Sequence, residues 1–192
     1  MFILKKSIFK TILFLTIVTT VLSSCLKQDS EPVQISGLNI VQASPGPDVF
    51  DVFIGNRKAN TEDFTYGAKI GYLNVIPGSR SFTLTKKDNA SIMLSGELSI
   101  DKQEGYSLFV IDVPTSMKLL LLKDDLKKPA TGKATIRFVN LSLNAPAQNL
   151  AIDGMPNDIA DNRQFKDYTE FQSIDPGNTV NFTLKNKASG AT

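Results

Sequence analysis

A chain of 192 residues with no histidine, no tryptophan and one cysteine is closed to several kinds of chemistry at the outset. Without histidine there is no Ser-His-Asp or Cys-His arrangement, no His-based zinc site and no imidazole base near neutral pH. A lone cysteine cannot form an intramolecular disulfide, so stability has to come from packing.

The chain opens on a basic head, Lys5, Lys6 and Lys10, followed by an apolar run over residues 11–22. About a dozen apolar residues are too few for a bilayer core, which needs about 20 in a helix, so residues 1–24 are expected to be a signal peptide rather than a membrane span. The run ends in Leu22-Ser23-Ser24-Cys25. This tetrapeptide resembles the bacterial lipobox, in which an aliphatic residue and two small residues present a cysteine thiol for acylation. The resemblance implies a mature protein that starts at Cys25 and is held in a membrane by lipid on that residue. Leu26, rather than an aspartate, follows the cysteine, and in Gram-negative lipoproteins that implies the outer membrane; whether the protein faces the periplasm or the surface is left open. Residues 25–35 read as a polar tether. Removing residues 1–24 takes three of the 21 basic side chains and none of the 19 acids, leaving 18 against 19. That balance lacks the basic excess of a nucleic-acid binder, so a nucleic-acid partner is not expected.

After the tether the chain repeats itself at a period of about 99 residues. Residues 38–47 correspond to 136–146, Gly55 is paired with Gly154, and residues 71–78 line up with 170–177. In the first copy, β-branched and aromatic residues are broken by turn residues every 8 to 12 positions, the pattern of short strands. Seven are expected, at 38–43, 49–54, 69–76, 81–85, 92–100, 106–113 and 118–122. Alternation is clearest where Phe82 and Leu84 point one way and Ser81, Thr83 and Thr85 the other. Gly55-Asn56 and Pro77-Gly78 supply turns. No window sustains a helical period. The fold class is therefore all-β, with tandem Ig-like β-sandwich domains: a first repeat at 36–123, a linker at 124–133 and a second repeat at 134–192. Residues 179–185 match the fourth strand of the first copy, so the second sandwich is expected to be incomplete, with apolar faces exposed, and the chain to be a fragment or a truncated reading frame.

The segment from Ala43-Ser44-Pro45-Gly46-Pro47-Asp48 through Gly55-Asn56, together with Tyr66-Gly67, Gly71-Tyr72 and Pro77-Gly78, resembles the bacterial domain-of-unknown-function family DUF4397. That resemblance takes in most of 36–192. It implies a sandwich in an exported protein or lipoprotein and brings no activity with it. The first copy has Gly46 where alanine is common, and the second has Leu143 for a proline and Asn149 for the motif aspartate.

What remains for chemistry is carboxylates. Asp48, Asp51, Asp63 and Asp112 could supply a glycosidase pair, which needs two acids about 5 or 9 Å apart, but turn aspartates bound to backbone amides read the same way. Residues 153–162 carry five oxygen-bearing side chains without the spacing of a calcium loop. Asn89 and Asn181 begin glycosylation sequons that mean little in a bacterial lipoprotein. Of the aromatics Phe50, Phe53, Tyr66, Tyr72, Phe82, Tyr106 and Phe109, most occupy strand positions, and one or two are expected at the surface. No enzyme activity, cofactor or metal is expected. The expected function is a non-catalytic module binding a glycan, a protein or envelope material through loops 44–48 and 56–67, with a structural spacer as the alternative.

Overall fold

The structure is a computed structural model that describes residues 33–177 and 179–190. The expected signal peptide, Cys25 and most of the tether lie outside the described residues. Thirteen strands follow in order: β1 (Ser36–Gln42), β2 (Phe50–Ile54), β3 (Arg57–Lys58), β4 (Lys69–Val75), β5 (Gly78–Lys86), β6 (Ile92–Ile100), β7 (Gly105–Ile111), β8 (Lys118–Asp124), β9 (Ala134–Ile136), β10 (Gln148–Ile152), β11 (Ala160–Arg163), β12 (Gln172–Ile174) and β13 (Phe182–Asn186). All belong to one compact unit, Gln34–Thr192. No described residue is helical.

The first eight strands form two four-stranded sheets, ordered β4-β1-β7-β8 and β3-β2-β5-β6. Between the sheets lie Leu38, Ile40, Val52, Phe82, Leu84, Leu108 and Val110, all fully buried, with Phe64 beside them. Alternation puts them there: β1 buries every second residue, and Phe82 and Leu84 of β5 point inward as expected. The β7 strand is buried on both faces, and from Leu108 to Ile111 its sequence reads as an unbroken apolar run. It also makes the one parallel pair among the described strands, with β1, running Gly37↔Gly105 to Gln42↔Val110.

Two details differ from the sequence expectation. The first repeat has eight strands rather than seven, because Arg57–Lys58 folds back on β2 through a two-residue turn. Two charged residues carry no apolar signal; the turn dictates the pairing. The last strand also runs to Asp124, which is buried, rather than stopping before a linker at 124.

The internal repeat is written into the backbone hydrogen bonds. The amide of Gln42 donates to Ala68 as that of Asn140 donates to Asp167, Gly67 to Gln42 as Lys166 to Asn140, Ala59 to Val52 as Ile159 to Leu150, and Lys87 to Val49 as Lys187 to Ala147. The period is thus 98 residues at β1 and β2, and 100 at β5. One anchor of the sequence alignment shifts accordingly. Ile54 is equivalent to Ile152, so Gly55 corresponds to Asp153, not Gly154. Gly55 (φ 59°) holds the first turn position, the pattern of a type II′ turn, and Gly154 (φ 82°) the second, the pattern of a type II turn.

The second repeat has counterparts of β1 to β5, in sheets β11-β10-β13 and β12-β9. Among the described residues nothing corresponds to β6, β7 or β8. The register Ile152↔Phe182 matches Ile54↔Phe82. Yet Phe182 and Leu184 are 48% and 47% exposed, where Phe82 and Leu84 are 0%. Its core is correspondingly small, built on Ile152, Ile159 and Ile174.

Candidate functional site

The strand directions sort the loops of the first sandwich to its two ends. The chain enters at Ser36, and the β2–β3 turn, the β4–β5 connection and the start of β7 share that end, called proximal here. Residues 43–49, 59–68, 87–91 and 112–117 lead to or lie at the other, distal end.

At the distal end the loop after β1 is held by Gln42, whose Oε1 accepts the Ser44 amide at 3.0 Å. The carbonyl of Gln42 also accepts the Gly67 amide at 2.8 Å, which ties residues 65–67 alongside. Tyr66 projects from this pair of loops, 59% exposed. Beneath them Gln42 Nε2 and Ser44 Oγ are buried without a protein partner. In the second repeat the shorter Asn140 takes the place of Gln42, and its Nδ2 donates to the Arg163 carbonyl at 2.8 Å.

The expected loop 56–67 is not one loop. Residues 56–58 belong to the proximal turn and β3, while 61–67 reach the distal end. Between them Asn60 is buried: its Oδ1 accepts the Val52 amide at 2.8 Å, and its Nδ2 donates to the carbonyls of Phe50 at 3.1 Å and Glu62 at 2.8 Å. Asn60 continues the ladder beyond the two residues of β3. In a polar run, Ala59-Asn60-Thr61-Glu62-Asp63, nothing in the sequence separates it from solvated neighbours.

At the proximal end a groove of about 490 Å³ runs between the β2–β3 hairpin and the β4–β5 connection. Its cationic side chains are Arg57, Lys58 and Arg80, its apolar ones include Ile54, Leu73 and Ile76, and no acid lines it. The Arg80 guanidinium donates to the carbonyls of Ile76 at 2.7 Å and Pro77 at 2.6 Å. The second repeat has the same groove, about 290 Å³, between Ile152–Met155 and Ile174–Asn181. There Asp153 and Asp175 line it and no described cation does. The motif position follows the inversion. Asp51 pairs with Lys58 at 2.7 Å, whereas its equivalent Asn149 donates to Asp158 at 2.9 Å and Asp161 at 2.7 Å.

Between the repeats lies a buried polar cluster. Asp124 Oδ2 accepts the Tyr72 hydroxyl at 2.6 Å and the Ser107 hydroxyl at 2.8 Å. Its Oδ1 pairs with Arg137 of the second repeat, the two side chains being 1% and 7% exposed. Arg137 also donates to the Lys123 carbonyl at 2.8 Å and stacks 4.6 Å from the Phe171 ring centroid. Burial, then the hydrogen bond and charge of Asp124, push the Tyr72 hydroxyl up to about 12. The Tyr72 ring lies against Gly37, where an added Cβ would come within 3.0 Å of it.

Each of the four carboxylates weighed for catalysis has its own lysine partner. Asp48 pairs with Lys86, Asp51 with Lys58, Asp63 with Lys87 and Asp112 with Lys118. The hydrogen bond from Lys118 holds the Asp112 carboxyl below its ordinary range, the opposite of what a general acid needs. In the acidic segment Asp158 and Asp161 face Lys185 and Lys187. Among the described residues no group of three or more His, Cys, Asp or Glu side chains is placed to hold a metal ion. Of the aromatics, Phe50, Phe82 and Tyr106 are buried, while Tyr66 and Tyr72 are the two exposed.

Two packed sheets, an internal repeat and loops gathered at the ends define an all-β sandwich protein. The chain belongs to the family described as domain of unknown function DUF4397, whose model matches residues 36–151. That span takes in the whole first repeat, continues through β9 and ends within β10, whereas the motif resemblance takes in most of 36–192. No curated protein matches the chain.

Proposed function

We propose that this is a lipid-anchored envelope protein whose sandwich modules are non-catalytic and bind a glycan, protein or envelope partner through the distal loops of the first repeat. The supporting observation is a polarity of the fold. The chain arrives from Cys25 at one end of the sandwich, and loops 43–49 and 61–67 come together with exposed Tyr66 at the other. Loops carried on a rigid sheet are where such scaffolds place recognition. Tyr72 is engaged with Asp124 and Gly37, which leaves Tyr66 as the exposed aromatic of the first repeat's distal loops that can stack on a sugar. The ion pairing of Asp48, Asp51, Asp63 and Asp112 supports a role without catalysis. Glycan-array binding that disappears in Tyr66→Ala and persists in Asp63→Asn is the expected result; binding unchanged by Tyr66→Ala overturns the assignment of the loops. An outer-membrane address rests on Leu26. Antibody labelling of intact cells separates surface display from a periplasmic position.

The second reading, a spacer or accessory subunit, is favoured by the Asp124–Arg137 junction. A buried pair at the meeting of two repeats stiffens the array, which a spacer requires. Binding to no glycan or cell fraction, with the junction intact, selects it.

A further inference from the structure

We infer that the proximal end of the first sandwich docks on the lipid surface itself, with Arg57, Lys58 and Arg80 meeting anionic headgroups. The inference rests on the proposed anchor at Cys25. Cys25 lies ten residues before Ile35, a length that spans at most about 36 Å. The chain leaves toward that anchor from the end of the sandwich that carries the groove. Its chemistry fits an interface. Arg57 is exposed and has no ion-pair partner among the described residues, and Lys58 is 44% exposed even though it is paired with Asp51. Arg80 is fixed at the turn by two carbonyls.

Apolar side chains flank these cations. Ile76 is 60% exposed and Ile35 46% exposed, and the register Ser36↔Val75 sets them opposite one another. Exposed aliphatic side chains beside cations are what an interfacial contact uses: the aliphatics enter the headgroup region and the cations meet phosphates. The second repeat supplies the contrast. Its equivalent groove lies between the corresponding connections but carries Asp153 and Asp175, in the copy that is remote from the anchor along the chain. The cations thus belong to the anchored copy rather than to the fold. Docking at this end would turn the distal loops away from the bilayer.

The test uses the full chain with its own anchor, reconstituted into phosphatidylcholine vesicles with and without phosphatidylglycerol. Amide hydrogen exchange is followed at 54–58 and 76–80, with 61–67 as the internal reference. The expected result is slower exchange at the first two segments in the anionic vesicles only, relieved by salt, with about a fivefold loss of protection for each cation removed. Arg57→Gln combined with Lys58→Gln should abolish most of it, and Arg57→Gln alone gives the same direction should the double variant fold poorly. Equal exchange in both vesicle types overturns the inference. So does protection that survives the substitutions, or protection produced by soluble polyphosphate but not by phosphatidylglycerol. The mass of the Cys25 peptide from the same sample separates the two readings: acyl chains without protection overturn the docking alone, and an unacylated Cys25 overturns both.

Discussion

Removing the carboxylate of Asp124 should be among the most damaging single changes at the surface where the repeats meet. Asp124→Ala strands the Arg137 guanidinium, whose side chain is 7% exposed, and takes the acceptor from the hydroxyls of Tyr72 and Ser107. Breaking a buried pair by deleting one partner costs about 3–5 kcal/mol. The Lys123 carbonyl and the Phe171 ring still face Arg137 and offset part of that, so a loss of about 3 kcal/mol is expected. For a chain of this length that corresponds to a fall of about 6–12 °C in melting temperature. Arg137→Met should cost less, about 2 kcal/mol, since the carboxylate keeps two hydroxyl donors. The double variant Asp124→Leu with Arg137→Met should lose less than the sum of the single losses, because no charge is left uncompensated. Urea denaturation at neutral pH followed by circular dichroism reads all three. A loss below about 1 kcal/mol for Asp124→Ala, the value of an exposed pair, would refute the burial of this junction.

Tyr72 should titrate near 12 in a tyrosinate absorbance titration. Its folded value lies above the unfolded one, so its contribution to stability is complete below pH 10 and is lost as pH rises through about 12. Asp124→Asn should lower the value without restoring it to 10, because burial remains the first cause. Phe82→Ala should destabilise by about 3–5 kcal/mol, and Phe182→Ala, its structural equivalent, by less than about 1 kcal/mol; equal losses in chemical denaturation would contradict the difference in burial between the repeats. Asn60→Ala orphans the Val52 amide and the Phe50 carbonyl and should cost about 3 kcal/mol, measured the same way. A neutral Asn60→Ala would mean that β2 is satisfied by other groups.

The long strands were legible because their faces are. The alternation at 81–85 and the turns at Gly55-Asn56 and Pro77-Gly78 mark which side chains meet the core. Leu119-Leu120-Leu121-Leu122 reads as a strand whose inward members, Leu119 and Leu121, join the core, while Leu122 is buried on the opposite face. Polar residues that are buried gave no such signal. Asn60 sits in a run of loop-type residues, and its role depends on β3 being too short to complete the ladder of β2. Asp124 and Arg137 border what composition marks as a solvated linker, and only the placement of one repeat against the other buries them. The paired grooves were hidden for a related reason. Equating Gly55 with Gly154 obscured the one-residue shift between two turn types, and with it the exchange of Arg57, Lys58 and Arg80 for Asp153 and Asp175.

Everything proposed about orientation hangs on Cys25, so the most direct measurement is the intact mass and amino-terminal peptide of the protein extracted from cell envelopes. A chain that begins at Cys25 and carries the added mass of a diacylglyceryl thioether and an N-acyl group is the expected result. A chain that retains residues 1–24, or that begins elsewhere with an unmodified thiol at Cys25, would contradict it.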